Sequence, residues 1–142
     1  MHSSDLAAEW TLLQNQFDSY EKYSLLIKLS SVGLLAAAYF SDQLSLVVLS
    51  LLLILWMQDA IWKTFQSRIE PRLLQLEGYL ANENPSASSD GKAYQFNSLY
   101  LKTRPSNLGL IKEYFGQALR PTIAFPHLLL VMILAIQLFL MT

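Results

Sequence analysis

Residues 24–61 read SLLIKLSSVGLLAAAYFSDQLSLVVLSLLLILWMQDAI, two apolar runs parted only by Ser41, Asp42 and Gln43. A hydrocarbon core of ~30 Å takes roughly 20 mostly apolar residues to cross at the helical rise of ~1.5 Å per residue. Residues 24–40 and 44–61 approach that length, each with one charged residue, Lys28 or Asp59, near one end. So short a connection makes the chain reverse at once, which predicts two antiparallel neighbouring transmembrane helices forming a hairpin. A third run at 122–141, TIAFPHLLLVMILAIQLFLM, contains no Asp, Glu, Lys or Arg. The expectation is an all-α integral membrane protein with three transmembrane helices. A helix pair buried in a soluble core would need more apolar covering surface than the rest of the chain supplies.

Composition points the same way. Of 142 residues, 53% are hydrophobic and 15% charged, whereas soluble domains carry about a quarter charged residues. A net charge of −1 offers no electrostatic ground for nucleic-acid binding. The absence of cysteine excludes disulfides, thiolate catalysis and sulfur-ligated metals.

Orientation is read from the basic residues. The stretch before residue 24, MHSSDLAAEWTLLQNQFDSYEKY, has no short basic leader, so it does not read as a cleaved signal peptide. Eight of the ten Lys and Arg residues lie between positions 63 and 120. Such an excess in connections near the membrane marks the cytoplasmic side. The N-terminus and central connection are therefore expected in the cytoplasm and the C-terminus outside, as in a bacterial inner membrane. Tyr20, Tyr23, Trp56 and Trp62 would form the inner aromatic belt, and Tyr39, Phe40 and Phe139 the outer one.

The flanking segments are patterned too. Leu6, Trp10, Leu13, Phe17, Tyr20, Ser24 and Ile27 follow the four-three spacing of an amphipathic helix, making residues 1–23 a cytoplasmic helix that continues into the membrane. Trp62, Ile69, Leu73, Leu76 and Leu80 repeat the spacing, with Gln66 in the remaining position, so 62–81 is expected to pack on 1–23. A turn at 42 and 43 would set Trp10 beside Gln75, Leu13 beside Arg72, Lys28 beside Met57 and Asp59 beside Leu26. Pro71 should kink or restart the second helix, or Ser67 could cap a new one with Glu70 closing a capping box. The seam Trp10, Leu13, Phe17, Ile69, Leu73 and Leu76 is explained either by packing within the chain or, chiefly at Trp10 and Phe17, by contact with another protein.

Residues 82–106 read as a flexible linker and loop, including NENPSASSDGK and the short alternating stretch AYQFNSLYLK. Asn107 is a candidate cap for an amphipathic helix over 107–120, with Leu108, Ile111, Phe115 and Leu119 on one face. This helix either lies in the inner leaflet interface or packs on the cytoplasmic arm. Arg104, Lys112 and Arg120 are candidates for lipid headgroup contact. Residues 121–142 complete the chain as the last transmembrane helix.

The chemical inventory is thin. No glycine-rich phosphate loop, nucleophile elbow or metal-ligand spacing is present, and no family motif is diagnostic. His127 reads as neutral and bonded to a carbonyl freed by Pro126. No catalytic residue, metal or cofactor is expected. Lys28 and Asp59 form an intramembrane pair that either pins the hairpin register or marks the inner mouth of a conduction path. Ser30, Gly33 and Ala37 make a small-residue stripe suited to close helix packing, within the chain or between copies. The leading expectation is a non-enzymatic scaffold or subunit whose partners are membrane lipids and either copies of itself or another membrane protein, with no small-molecule substrate. The alternatives are an oligomeric pore-forming effector lined by Ser30, Ser31 and Ser50, and an immunity or regulatory subunit of another membrane protein.

Overall fold

The computed structural model describes residues 2–81, 94, 96–103 and 106–142. Most of the expected linker and Arg104 lie outside the described residues. Among those described, the regular structure is all helical: α1 (His2–Phe40), α2 (Leu46–Ala81), α3 (Phe96–Thr103), α4 (Asn107–Ala118) and α5 (Pro121–Met141). Three of these, α1, α2 and α5, are long and apolar enough to cross a membrane.

With 39 and 36 residues, α1 and α2 reach ~58 and ~54 Å at the helical rise, well beyond a hydrocarbon core of ~30 Å. Nothing in α1 breaks a helix, since it holds no proline and one glycine, Gly33. Its end is built by Asp42, which takes the left-handed conformation at φ 55°. That turn lets Gln43 N–H donate to Ala38 O at 2.9 Å and Asp42 N–H to Tyr39 O at 3.3 Å. The two bonds form a Schellman motif with Asp where glycine is usual; its short polar side chain tolerates this backbone region. Ser45 then caps α2, its carbonyl accepting from Leu49 N–H at 3.2 Å and its hydroxyl from Val48 N–H at 3.5 Å.

Two apolar clusters sit at opposite ends of the helices. Leu6 and Leu13 of α1 pack with Ile69, Leu73 and Leu76 of α2, flanked by Trp10, Phe17, Tyr20, Tyr79 and Phe96. Leu35 and Ala38 pack with Val48, Leu52 and Leu134, so the second cluster draws on all three long helices. Pairings rise along α1 as they fall along α2: Glu9 meets Arg72, Glu21 meets Lys63 and Ser24 meets Asp59. The chain directions of the two helices are thus opposed. A polar layer lies between the two clusters.

Several local expectations need correction. Pro71 does not restart the second helix: it is exposed and α2 continues through it to Ala81. Ser67 does not cap a new helix: its hydroxyl donates to Thr64 O at 2.7 Å within the same turn. Part of the stretch expected to be loop, Phe96–Thr103, is helical as α3. The cap of α4 is Ser106 rather than Asn107, since the Ser106 hydroxyl accepts from Gly109 N–H at 3.3 Å from an extended backbone. The preceding residue adopts the non-helical conformation a cap needs, and Asn107 is already in the first turn.

The α4 helix packs on α2 through its mixed face rather than its apolar one. Glu113 approaches Arg68 at 3.4 Å, Arg68 lies over the Tyr114 ring at 5.8 Å, and Trp56 Nε1–H donates to Ala118 O at 3.0 Å. Leu108, Ile111, Phe115 and Leu119 turn outward, with Leu108 80% and Leu119 70% exposed.

Candidate functional site

The polar layer centres on Asp59, which has no solvent exposure although it lies in an apolar stretch of α2. Three donors from two other helices converge on its carboxylate. The Ser24 hydroxyl of α1 donates to Oδ1. His127 Nε2 of α5 lies 2.9 Å from Oδ2, and Lys28 Nζ of α1 lies 3.8 Å from the same oxygen. Ser24 and His127 are both buried, whereas the Lys28 side chain keeps 24% of its exposure. A carboxylate offers only acceptors, so the His127 nitrogen facing it is the protonated one.

Helix geometry explains the convergence. Ser24 and Lys28 are four residues apart on one face of α1. Asp59 comes from α2, just before two buried positions of its own helix, Ala60 and Thr64, and Thr64 satisfies its hydroxyl by donating to Ala60 O at 2.8 Å. His127 follows Pro126 near the start of α5, but contrary to expectation its bond is to Asp59 rather than to a helix carbonyl. The charged acceptor is the stronger partner and lies within reach. Trp56 stacks on the imidazole, ring centroids 6.2 Å apart and planes 9° from parallel. Its indole N–H ties the same point to the end of α4. Lys28 also donates to Thr122 O at 3.5 Å, so α1, α2, α4 and α5 are all bound to this cluster.

The order of groups decides its chemistry. Asp59 stands between hydroxyl and imidazole, and Ser24 donates to the carboxylate. A nucleophilic triad needs the hydroxyl against the imidazole, with the carboxylate behind it. Here the carboxylate instead holds two helices to its own. Among the described residues no group of three His, Asp or Glu side chains could hold a metal ion.

A second buried pair was not legible in the seam pattern. Glu9 and Arg72 meet in a two-bond fork, Nε to Oε1 at 2.9 Å and Nη2 to Oε2 at 3.1 Å, and both side chains are 3% exposed. Tyr94 N–H also donates to Glu9 Oε2 at 2.6 Å. Arg72 was expected beside Leu13; the observed partner is one turn earlier, because the long guanidinium reaches a carboxylate on the neighbouring turn. Trp10 bonds Glu77, Nε1 to Oε1 at 3.1 Å.

Between these buried pairs, Lys63 contacts Glu21 at 2.6 Å and Gln66 at 3.0 Å. Gln66 in turn donates to Glu21 at 2.9 Å and to Phe17 O at 3.3 Å. Hydrogen bonding from Lys63 holds the Glu21 carboxyl below the usual glutamate value, against a smaller opposing effect of burial. For Arg68, burial works against the charge, but the hydrogen bonds it donates to Tyr114 and Glu113 outweigh that and raise the pKa.

The seam residues Leu13, Ile69, Leu73 and Leu76 are buried in the first cluster, with Trp10 and Phe17 packed against it. Ser30, Gly33 and Ala37 are exposed, and a Cβ added at Gly33 would meet nothing within 4 Å. Ser31 is buried and donates to Ile27 O, so it does not share a lining with exposed Ser30 and Ser50. Lys112 and Arg120 are exposed on and just after α4.

Comparison with protein-family models, curated proteins and solved structures finds no match to this chain.

Proposed function

We propose that this protein is a non-enzymatic membrane scaffold or subunit that assembles with copies of itself through α1. The observation that carries the reading is the outward-facing row Ser30, Gly33 and Ala37, with open space at Gly33. In lipid, the hydrophobic effect gives helices no reason to meet. Close backbone approach at small residues supplies the contact instead. The interior of the chain is meanwhile tied by Asp59 and its donors, which suits a rigid unit presenting one face.

In the same reading, α1 and α2 form a hairpin that rises from the cytoplasm and returns, leaving both outer ends as a cytoplasmic arm. The α4 helix lies in the inner leaflet interface, with Leu108, Ile111, Phe115 and Leu119 against acyl chains. The third crossing, α5, leaves the C-terminus outside, in a bacterial inner membrane. A conduction path is less favoured, because Ser31 and Ser50 donate to their own helix carbonyls and present little polar lining.

The chain lacks cysteine, so single introduced cysteines report contacts cleanly. Oxidative crosslinking should join copies through Ser30→Cys and Gly33→Cys, and more weakly through Val32→Cys. The extracted particle, corrected for detergent, should weigh a multiple of 16.1 kDa, and Gly33→Leu should reduce it to one chain. A particle of one chain with equally weak crosslinking at every position would overturn the proposal. A stoichiometric second protein at Gly33→Cys would replace self-assembly with a regulatory-subunit role.

A further inference from the structure

Where the arm meets the last crossing, a cavity of about 200 Å³ lies between α1, α2 and the junction of α4 with α5. Its lining includes cations, Lys63 and Arg120, and anions, Glu21 and Glu70. Lys63 and Glu21 satisfy each other. The Arg120 side chain donates to Gln117, Nη1 to Oε1 at 3.2 Å. Glu70 is exposed and, among the described residues, forms no ion pair. Arg120 and Glu70 thus face one cavity with opposite charges that do not meet.

The depth of this cavity follows from the sequence. No charged residue follows Arg120, and roughly 20 residues cross a hydrocarbon core. Arg120 therefore sits at the level of lipid phosphates. Lys63 and Glu21 flank the other two apolar runs at the same junction. The exposed apolar face of α4 ends beside it, at Leu119, where acyl chains would begin.

We infer that this cavity binds the headgroup of a phosphatidylethanolamine. The phosphate sits against Arg120, with Lys63 behind it, and the ammonium donates to Glu70. A dipolar headgroup bridges the two separated charges, which neither an anionic nor a purely cationic ligand does. An ammonium with three N–H donors can bond a carboxylate, while the quaternary ammonium of phosphatidylcholine cannot. The inference rests on the three-span reading above, and not on self-assembly.

Native mass spectrometry of the delipidated full chain, titrated with phosphatidylethanolamine, phosphatidylcholine and phosphatidylglycerol of identical acyl chains, tests it. Phosphatidylethanolamine should bind roughly tenfold more tightly than either other lipid, the size expected of one charge-assisted hydrogen bond. Glu70→Gln should erase its advantage over phosphatidylcholine, and Arg120→Ala should weaken all three. Both tested positions are exposed, and unchanged helical circular dichroism checks that the variants fold. Equal binding of the three lipids, tightest binding of phosphatidylglycerol, or indifference to both variants would overturn the inference. Extraction of the native protein by alkaline carbonate would instead refute the three-span reading, and the same spectra report copy number separately.

Discussion

Replacing Asp59 by Asn keeps its shape and removes its charge. Three donors then face a side chain with one acceptor and an amide that is itself a donor. Ser24 has an alternative, since Ser19, Ser31 and Ser50 all bond the carbonyl four residues back. Lys28, with 24% of its side-chain exposure left, can turn toward the headgroups. His127 is buried and has neither escape. Removing one partner from a fully buried ion pair costs ~3–5 kcal/mol, while single side-chain hydrogen bonds in membrane bundles average ~0.6 and reach ~1.7 kcal/mol. The site is lined by protein, yet one of its donors can relax, so we expect Asp59→Asn to cost about 3 kcal/mol. His127→Leu should cost more than Ser24→Ala. Reversible unfolding in mixed detergent, followed by the fluorescence of the three tryptophans, measures these values. A double-mutant cycle of Asp59→Asn with His127→Gln should show a coupling above ~1 kcal/mol. A cost below ~1 kcal/mol for Asp59→Asn, with additivity inside ~0.5 kcal/mol, would refute the idea that this cluster ties the helices.

Arg72→Met leaves Glu9 buried with, among the described residues, the Tyr94 N–H as its remaining donor, and should cost ~3–5 kcal/mol; adding Glu9→Gln should recover most of that, as measured by the same unfolding assay. Asp42 sits at φ 55°, so Asp42→Gly should raise stability by up to ~1 kcal/mol and Asp42→Val should lower it, read as opposite shifts in thermal midpoint. Glu21 is held below its ordinary pKa by Lys63. Its contribution is therefore present above the unfolded-state value and lost as pH falls through the lower folded one. Stability of the native chain should drop on acidification more than that of Glu21→Gln, by a small margin because the carboxylate is half exposed.

Elements and seams follow from one-dimensional spacing. Leu6, Leu13, Ile69, Leu73 and Leu76 recur at helical intervals, and a helix face is a periodic property of the chain. Polar partners are less accessible to that reasoning. Glu9 sits in the leader without breaking the apolar seam, and only the reach of Arg72 across one turn shows why it is buried. The α4 helix departs further from its pattern: its apolar stripe suggests the packed face, but the interior offers Arg68 and Trp56, which choose Glu113, Tyr114 and the Ala118 carbonyl instead. In the interfacial position proposed for this helix, an outward apolar face carries no penalty, so polarity rather than hydrophobicity selects the inner side.

The quoted stretch at 24–61 and the charge-free run at 122–141 determined by themselves that the chain has three helices able to cross a membrane, because hydrocarbon admits only long apolar helices with internally paired backbones. What only the tertiary structure decided is which intramembrane polar groups meet. Lys28 and Asp59 were visible as a pair, but the shorter and fully buried contact is between Asp59 and His127, 68 positions apart in the chain. Hydrophobic length is local, whereas the partner of a buried charge depends on how the third helix packs against the other two.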